Sequence, residues 1–336
     1  SDVYKRQGMI LGERKGQLIC LPENTRLNRH CAIFGASGTM KSRAVIRNAL
    51  FQAIKRGESV IISDPKSEMY NDTSQLFRNN GYEVKVFNLV DPTRSDTWNC
   101  MSDMGTDSMM AQMLTNIIIG NTSSGKSDHF WDNGELNLLK ALVLYVALDE
   151  NRTKDQKNLA EVYLQITDKT DKDLAQIYED LPKDHPARSS FSIYIQASDT
   201  VRQGIKQGLG TRLQVLQNKV VTRLISGTDI DLTAPAKHKC AYYIILSDQE
   251  TSMAFLSSLF FSFMFIKLTR FADMSPGGHC PVPVNLVLDP QTRILDGREV
   301  FMLTYDQTAL DAFGYTGNTA YDEQLAKRMI PTTWYV

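Results

Sequence analysis

The feature that most restricts the fold of this 336-residue chain is a glycine-rich loop ending in Lys-Ser. It lies between the apolar run Cys31–Phe34 and an amphipathic stretch that starts at Arg43. Small residues let successive backbone N–H groups surround an anion, and a following helix directs the positive end of its dipole to the same place. The pattern therefore predicts a nucleotide phosphate site in an α/β domain. The predicted loop residues are Gly35, Ala36, Ser37, Gly38, Thr39, Met40, Lys41 and Ser42.

Two side chains at the end of this loop carry the predicted chemistry. Lys41 is expected to contact the β- and γ-phosphates, and the Ser42 hydroxyl is expected to bind Mg²⁺. Met40 departs from the usual G-x-x-x-x-G-K-[ST] pattern, in which glycine precedes the lysine. Its side chain is expected to crowd the tightest part of the loop. An ordinary Gly/Ser turn before a helix is the alternative interpretation.

Short apolar strand patterns alternate with amphipathic helix patterns at both ends of the chain. The strand patterns are 59–63, 81–88, 240–246 and 284–288. Their continuous apolar character indicates a parallel sheet covered by helices on both faces. Ligands of such sheets bind at the carboxyl ends of the strands, where both the glycine-rich loop and Asp64 are expected to lie. Asp64 is therefore a candidate cofactor-binding residue, although Asp-Pro after a strand is also a common turn signal.

The middle of the chain has a different periodicity. From Ser108 to Asn218 the apolar residues recur at helical spacing, and no convincing strand pattern is present. We therefore expect an α/β core made of 8–100 and 228–289, interrupted by an all-helical insertion at 101–227. We expect residues 290–336 to be a separate tail.

Composition excludes several classes of function. The net charge is −1, so any nucleic-acid or membrane contact must come from a local patch. The five cysteines are odd in number and widely spaced, which argues against a disulfide framework and against zinc, and the five histidines show no metal-ligand spacing. A reducing cytoplasm fits best. The apolar run Ala254–Ile266 is shorter than the roughly 20 residues that span a bilayer, so we expect a buried helix.

Several motifs occur in one order along the chain, and together they are more specific than the loop alone. They are Gly35–Ser42, Ser63–Glu68, Phe87–Leu89, Asp128–Asp132 and the strand ending at Asp289. With them, the chain from Met9 to Asp289 resembles the type IV secretion coupling proteins, the TraG/TraD-type conjugal-transfer ATPases, particularly those of Gram-positive mobile elements.

This resemblance implies a RecA-like P-loop NTPase that binds ATP and Mg²⁺. Family members are anchored in the plasma membrane, act on its cytoplasmic face as homo-hexamers, and pass relaxase-bound single-stranded DNA to the components of a type IV secretion channel. The resemblance implies that Lys41 and Ser42 hold phosphate and Mg²⁺, and that Asp289 is a second Mg²⁺-organising carboxylate.

The departures from the family pattern predict a truncated fragment with impaired hydrolysis. Pro290 stands where the family has a glutamate that orients the attacking water. Residues 291–336 match nothing in the family, its amino-terminal membrane helices are missing, and residues 1–7 resemble a translated sequencing adapter. A soluble fragment is therefore expected. Two other functions stay open: a nonhydrolysing adaptor that docks relaxase or DNA-processing partners, and a P-loop kinase or small-molecule NTPase.

Two further groups of residues suggest nucleic-acid contacts. Phe130 and Trp131 could stack on bases, but an aromatic pair at the start of an apolar helix favours core packing. A basic segment could line a DNA or partner surface, although a solvated helix face is the expected interpretation. Its members are Arg202, Lys206, Arg212, Lys219 and Arg223.

Overall fold

The computed structural model describes residues 9–21, 31–36, 45–122, 129–246, 252–288 and 298–304. The described residues fall into two compact units. The first takes its residues from 1–86, 232–248 and 264–336, and the second from 87–231 and 249–263.

The strands form a hairpin and a six-stranded sheet. The hairpin pairs β1 (Met9–Arg14) with β2 (Gln17–Leu21) in antiparallel fashion. The sheet has the order β3-β8-β7-β4-β6-β5. Its strands are β3 (Cys31–Ala36), β4 (Ser59–Ser63), β5 (Glu83–Asn88), β6 (Cys240–Ile245), β7 (Val284–Leu288) and β8 (Arg298–Thr304).

The centre of the sheet is parallel, as the sequence predicts. Ile61 of β4 is paired with Tyr242 of β6 on one side and with Leu286 of β7 on the other. Every residue of β4 is buried, which explains its continuous apolar run: a central strand covered on both faces has no solvent side. The carboxyl ends of β4, β6 and β7 therefore lie along one edge of the sheet.

One strand differs from the predicted parallel arrangement. β8 runs antiparallel between β3 and β7, with Cys31 paired with Leu303 and Leu288 paired with Met302. A parallel crossover needs about a dozen or more residues, whereas only 289–297 connect β7 to β8. β8 also lies within residues 290–336, the expected tail, for which no secondary structure was named in the sequence analysis. The run Val300–Leu303 is the sequence signal that could have predicted it.

Helices pack on the sheet in the first unit and form most of the second unit. They are α1 (Arg47–Arg56), α2 (Glu68–Asn79), α3 (Cys100–Met104), α4 (Ser108–Thr122), α5 (His129–Leu148), α6 (Leu159–Thr167), α7 (Asp171–Asp180), α8 (Arg188–Ile195), α9 (Asp199–Arg212), α10 (Lys219–Ser226), α11 (Ala234–Lys237) and α12 (Ala254–Met274).

The core of the first unit forms where α1 and α2 pack on β4 and β6. Leu50 and Phe77 have no exposed surface there, and Tyr243 of β6 lies beneath them. α1 ends at Gly57, whose φ of 71° is in the left-handed region that favours glycine. The Gly57 N–H caps the Ala53 and Ile54 carbonyls, which allows the chain to turn directly into β4.

Most of the second unit is helical. From α3 to α10 the described residues form helices and turns, and an isolated bridge pairs Trp98, before α3, with Thr228, after α10. Trp98 packs edge-on against Phe260, with ring centroids 5.1 Å apart. The backbone N–H of Trp98 donates a hydrogen bond to the Leu224 carbonyl. The hydrogen bond to Leu224 joins the residues just before the helical segment to its last helix, α10.

α12 is the single helix in the described ranges with the length and hydropathy of a membrane span. Half of its most apolar window is buried inside the protein. The core helix of a globular domain can have the same length and hydropathy, so these two properties do not distinguish it from a membrane span.

Candidate nucleotide site

The structure places a strand before the glycine-rich loop and a helix after it. Gly35 and Ala36 are the last residues of β3, and α1 begins at Arg47. The remaining loop residues, Ser37, Gly38, Thr39, Met40, Lys41 and Ser42, lie outside the described residues. Their role in binding phosphate stays a prediction.

The carboxyl ends of β4 and β7 are neighbours. Ile62 is paired with Val287, so the two strands end side by side at Ser63 and Leu288. Asp64 directly follows β4 and is 3% exposed. Asp289 directly follows β7 in the sequence but lies outside the described residues, as does Pro290.

The Asp64 carboxylate holds the beginning of α2. Its Oδ2 accepts a hydrogen bond of 2.8 Å from the Tyr70 N–H, in the first turn of that helix. Ser67, at the N-cap position, makes no side-chain cap and has a φ of 58°. Asp64 thus supplies the acceptor that a capping side chain normally provides, and the positive end of the helix dipole favours its negative charge.

Burial has the largest effect on the pKa of Asp64. It raises the pKa of this carboxyl above the usual aspartate value, while the N–H groups of Tyr70 and Met69 oppose the shift and the nearby Glu68 adds to it. A carboxylate that is costly to ionise gains most from a neighbouring cation. Asp64 therefore suits two roles, the capping of α2 and the attraction of a cation to this edge. Lys66, two residues on, is exposed.

A buried hydroxyl pair lies behind Asp64, and sequence reasoning missed it. The Tyr243 and Thr73 hydroxyls are 2.8 Å apart, and the Tyr70 ring packs edge-on against Tyr243 at 5.3 Å. Burial raises the pKa of the Tyr243 phenol, and the negative charge of Asp64 adds to the shift. The group therefore stays a neutral hydroxyl, which anchors α2 to β6.

In the second unit, the expected core role of the aromatic pair is wrong for Phe130. This side chain is 57% exposed, and Trp131 is 37% exposed. The helix α5 places Phe130 outward, whereas Trp131 lies against α9 so closely that a Cβ on Gly204 would come within 2.7 Å of its ring. Asp128, the first residue of the same motif, lies outside the described residues.

The last acidic residue of that motif takes part in an ion cluster. Arg212 of α9 pairs with both Asp132 and Glu135 of α5. Burial raises the pKa of Glu135, and Arg212 opposes the shift. Gly208 lets α9 approach Glu135, since a Cβ there would lie 2.0 Å from Glu135 Oε1. These contacts fix the packing of α5 on α9.

The basic segment does not form one continuous cationic surface. Arg212 is held by the cluster with Asp132 and Glu135, and Arg202 donates to the Ile195 and Ala197 carbonyls at the end of α8. Lys219 and Arg223 are exposed. The expected interpretation, a solvent-exposed helix face, therefore holds only for Lys219 and Arg223.

Comparison with known families gives one long match. The pattern of the family described as type IV secretory system conjugative DNA transfer matches residues 2–294. The match includes the glycine-rich loop, Asp64 and Asp289. No curated protein matches the chain.

Solved structures share the fold at low sequence identity. The plasmid coupling protein TrwB in complex with the non-hydrolysable GTP analogue GDPNP has a TM-score of 0.55 and 14% identity, over 88% of this chain and 66% of that one. TrwB in complex with ADP and Mg²⁺ has a TM-score of 0.47 and 15% identity, over 70% of this chain and 51% of that one. The chain thus spans about half the length of the latter structure. The predicted α/β fold class is confirmed, with a sheet that is parallel at its centre and a helical domain.

Proposed function

Because this chain belongs to the type IV secretory system conjugative DNA transfer family, we propose that it is the motor portion of a coupling ATPase. In this role it delivers relaxase-bound single-stranded DNA to a type IV secretion channel. The observation that carries the proposal is the family match over residues 2–294. This match covers all the motifs named in the sequence analysis. The parallel strands β4 and β7 end side by side next to Asp64, which supports a ligand site at the strand ends.

The nucleotide of this proposal is ATP with Mg²⁺, and the TrwB complex with the GTP analogue GDPNP supports nucleotide binding in general. Lys41 would hold the phosphates, and Ser42 and Asp289 would supply oxygen ligands to the metal. The donor set fits, because Mg²⁺ prefers carboxylate, hydroxyl and phosphate oxygens, and the buried Asp64 carboxylate is stabilised by added positive charge. The metal would neutralise charge that develops on the phosphates during transfer.

The assembly we propose is a homo-hexamer at the cytoplasmic face of the plasma membrane. In it, 8–100 and 228–289 form the nucleotide-binding core, and 101–227 form a lobe that contacts relaxase or DNA. The exposure of Phe130 supports this placement, since bases stack on solvent-exposed aromatic rings.

Hydrolysis by this chain is proposed to be slow. Phosphoryl transfer to water needs a group that positions the water, and losing such a group costs on the order of 10²–10⁴ in rate. Pro290, which follows the proposed metal ligand Asp289, has neither a carboxylate nor an N–H donor. This residue is the specific observation that favours the second candidate, an adaptor that binds nucleotide without turnover.

An ATPase assay with and without single-stranded DNA separates the two candidates. The motor predicts slow turnover that single-stranded DNA increases and that Lys41→Ala abolishes. The exposed Lys183→Ala is the matched control and should leave the rate unchanged. Nucleotide binding without turnover in the presence of DNA would contradict the motor and support the adaptor.

A further inference from the structure

Three potential metal ligands from distant parts of the sequence meet in the first unit. They are Glu83 at the start of β5, His238 just before β6, and Cys240 at the start of β6. One ligand atom of each lies within 4.8 Å of the other two. Sequence spacing could not reveal this cluster, because about 155 residues separate Glu83 from its two partners.

Strand geometry explains why the three side chains share one face. His238 and Cys240 are two residues apart along extended backbone, and alternate residues of a strand point to the same side. The Glu83 N–H donates to the carbonyl of Lys239, the residue between them, at 3.0 Å. The Lys239 side chain points the other way, to the Asn80 carbonyl and the Tyr82 ring.

A buried serine fixes the backbone of this cluster. The Ser59 hydroxyl accepts a hydrogen bond from the Cys240 N–H and donates one to the His238 carbonyl, each at 3.0 Å. Cys240 itself has no exposed surface, whereas His238 and Glu83 are 54% and 37% exposed. One ligand is thus held rigidly and two have room to adjust.

We propose that Glu83, His238 and Cys240 bind a zinc ion, with water as the fourth ligand. Thiolate, imidazole and carboxylate together are the donor set that Zn²⁺ accepts, and three protein ligands with an open fourth position are a known arrangement. Tetrahedral zinc separates its ligand atoms by about 3.3–3.6 Å, as its bond lengths require.

The observed distances lie on either side of that value. The distance from His238 Nε2 to Glu83 Oε2 is 2.6 Å, and Cys240 Sγ lies 4.0 Å from the same oxygen. A small rotation of the exposed Glu83 and His238 side chains reconciles both. The competing cation is Lys85, whose Nζ lies 3.6 Å from Glu83 Oε1. That contact uses the other carboxylate oxygen; Oε2 shares a hydrogen bond with His238 Nε2, which the metal would replace.

The metal site would link the edge strand of the sheet to its neighbour. β5 is the terminal strand in the order of the sheet, and among the described strands its neighbour there is β6. A zinc ion shared by Glu83 and the β6 ligands would join the two strands by bonds stronger than the backbone ladder. Zinc should therefore raise the stability of the first unit, independently of nucleotide.

Cobalt titration tests the proposal directly. Untagged protein, treated with chelator and kept reduced, is titrated with Co²⁺ and then with Zn²⁺ in the absence of nucleotide and Mg²⁺. We expect one equivalent of Co²⁺ to bind with a thiolate-to-cobalt charge-transfer band, which Zn²⁺ then removes. Cys240→Ser should abolish the band, and His238→Ala should weaken binding by about tenfold or more.

Two controls keep the result decisive. Cys280→Ser, at a partly exposed thiol outside the cluster, should bind Co²⁺ like the wild type. Since Cys240 is buried and its replacement can disturb folding, the exposed His238→Ala and Glu83→Gln provide independent variants. Absence of the band in folded wild type would overturn the proposal, as would an unchanged Co²⁺ affinity in His238→Ala or loss of the band in Cys280→Ser.

Discussion

The Asp64 carboxylate gives the sharpest test of how the strand end is built. Replacing it with alanine removes the acceptor of the Tyr70 N–H and leaves the first turn of α2 without a side-chain cap. Loss of a cap costs about 1 kcal/mol, and an orphaned buried donor costs about 1–3 kcal/mol. Asp64→Ala should therefore lower the free energy of unfolding by about 2–3 kcal/mol.

Asp64→Asn should behave differently, because its amide oxygen still accepts from Tyr70. The pKa of Asp64 is raised in the folded protein by burial, so the folded state binds more protons than the unfolded state between the two pKa values. Wild-type stability then falls as pH rises through this interval and stays level above the folded pKa. The neutral amide introduced by Asp64→Asn escapes that loss, so the stability of this variant relative to wild type should increase as the pH rises above about 4, the unfolded-state pKa of aspartate.

Urea unfolding followed by circular dichroism, at several pH values, measures both effects. The control is Asp273→Asn, which neutralises an exposed aspartate near the end of α12. Equal destabilisation by Asp64→Ala and Asp64→Asn at pH 7 would refute the reasoning. So would a difference between Asp64→Asn and wild type that does not change with pH.

Three other predictions follow from the same structure. Gly208→Ala should destabilise the protein by about 1–3 kcal/mol, because its Cβ displaces the Glu135 carboxylate that Arg212 binds. Gly120→Ala has open space around its Cβ and should stabilise the protein by up to about 1 kcal/mol. Thermal unfolding of the two variants checks this, and similar shifts in both would contradict it. Phe130→Ala should change the free energy of unfolding by less than about 1 kcal/mol, because the ring is exposed. In a fluorescence titration it should weaken single-stranded DNA binding by about 1–3 kcal/mol, and an unchanged affinity would show that the ring does not contact DNA. With Pro290 in place, phosphate release should be on the order of 10²–10⁴ slower than in a coupling ATPase that has the water-positioning glutamate, and comparable rates would show that another group positions the water.

The sequence predicted most of the sheet because its strands are short apolar runs with clear ends. The runs at 59–63 and 284–288 match β4 and β7 in full. The antiparallel β8 was missed, since the family resemblance ends before it and its apolar run Val300–Leu303 is short. Pairing order within a sheet depends on connections between distant segments, which local periodicity does not encode.

The candidate site was predictable only in part. Residue types and order located Asp64 at a strand end, but neither its capping of α2 nor the Thr73–Tyr243 hydroxyl pair has a local sequence signal. The same limit applies to Glu83 and His238, which become neighbours only after β5 and β6 pair. The exposure of Phe130 likewise depends on which face of α5 packs inward, and a pattern that is apolar all round does not define that face.

Calorimetric titration with Mg²⁺ and ATP tests the central claim, that Lys41 of the glycine-rich loop holds the phosphates of a nucleotide. The account predicts saturable binding of one ATP per chain to the wild type and to Lys183→Ala, and no detectable binding to Lys41→Ala, with all three proteins giving the same circular dichroism spectrum. Equal affinity of the wild type and Lys41→Ala for ATP would contradict it.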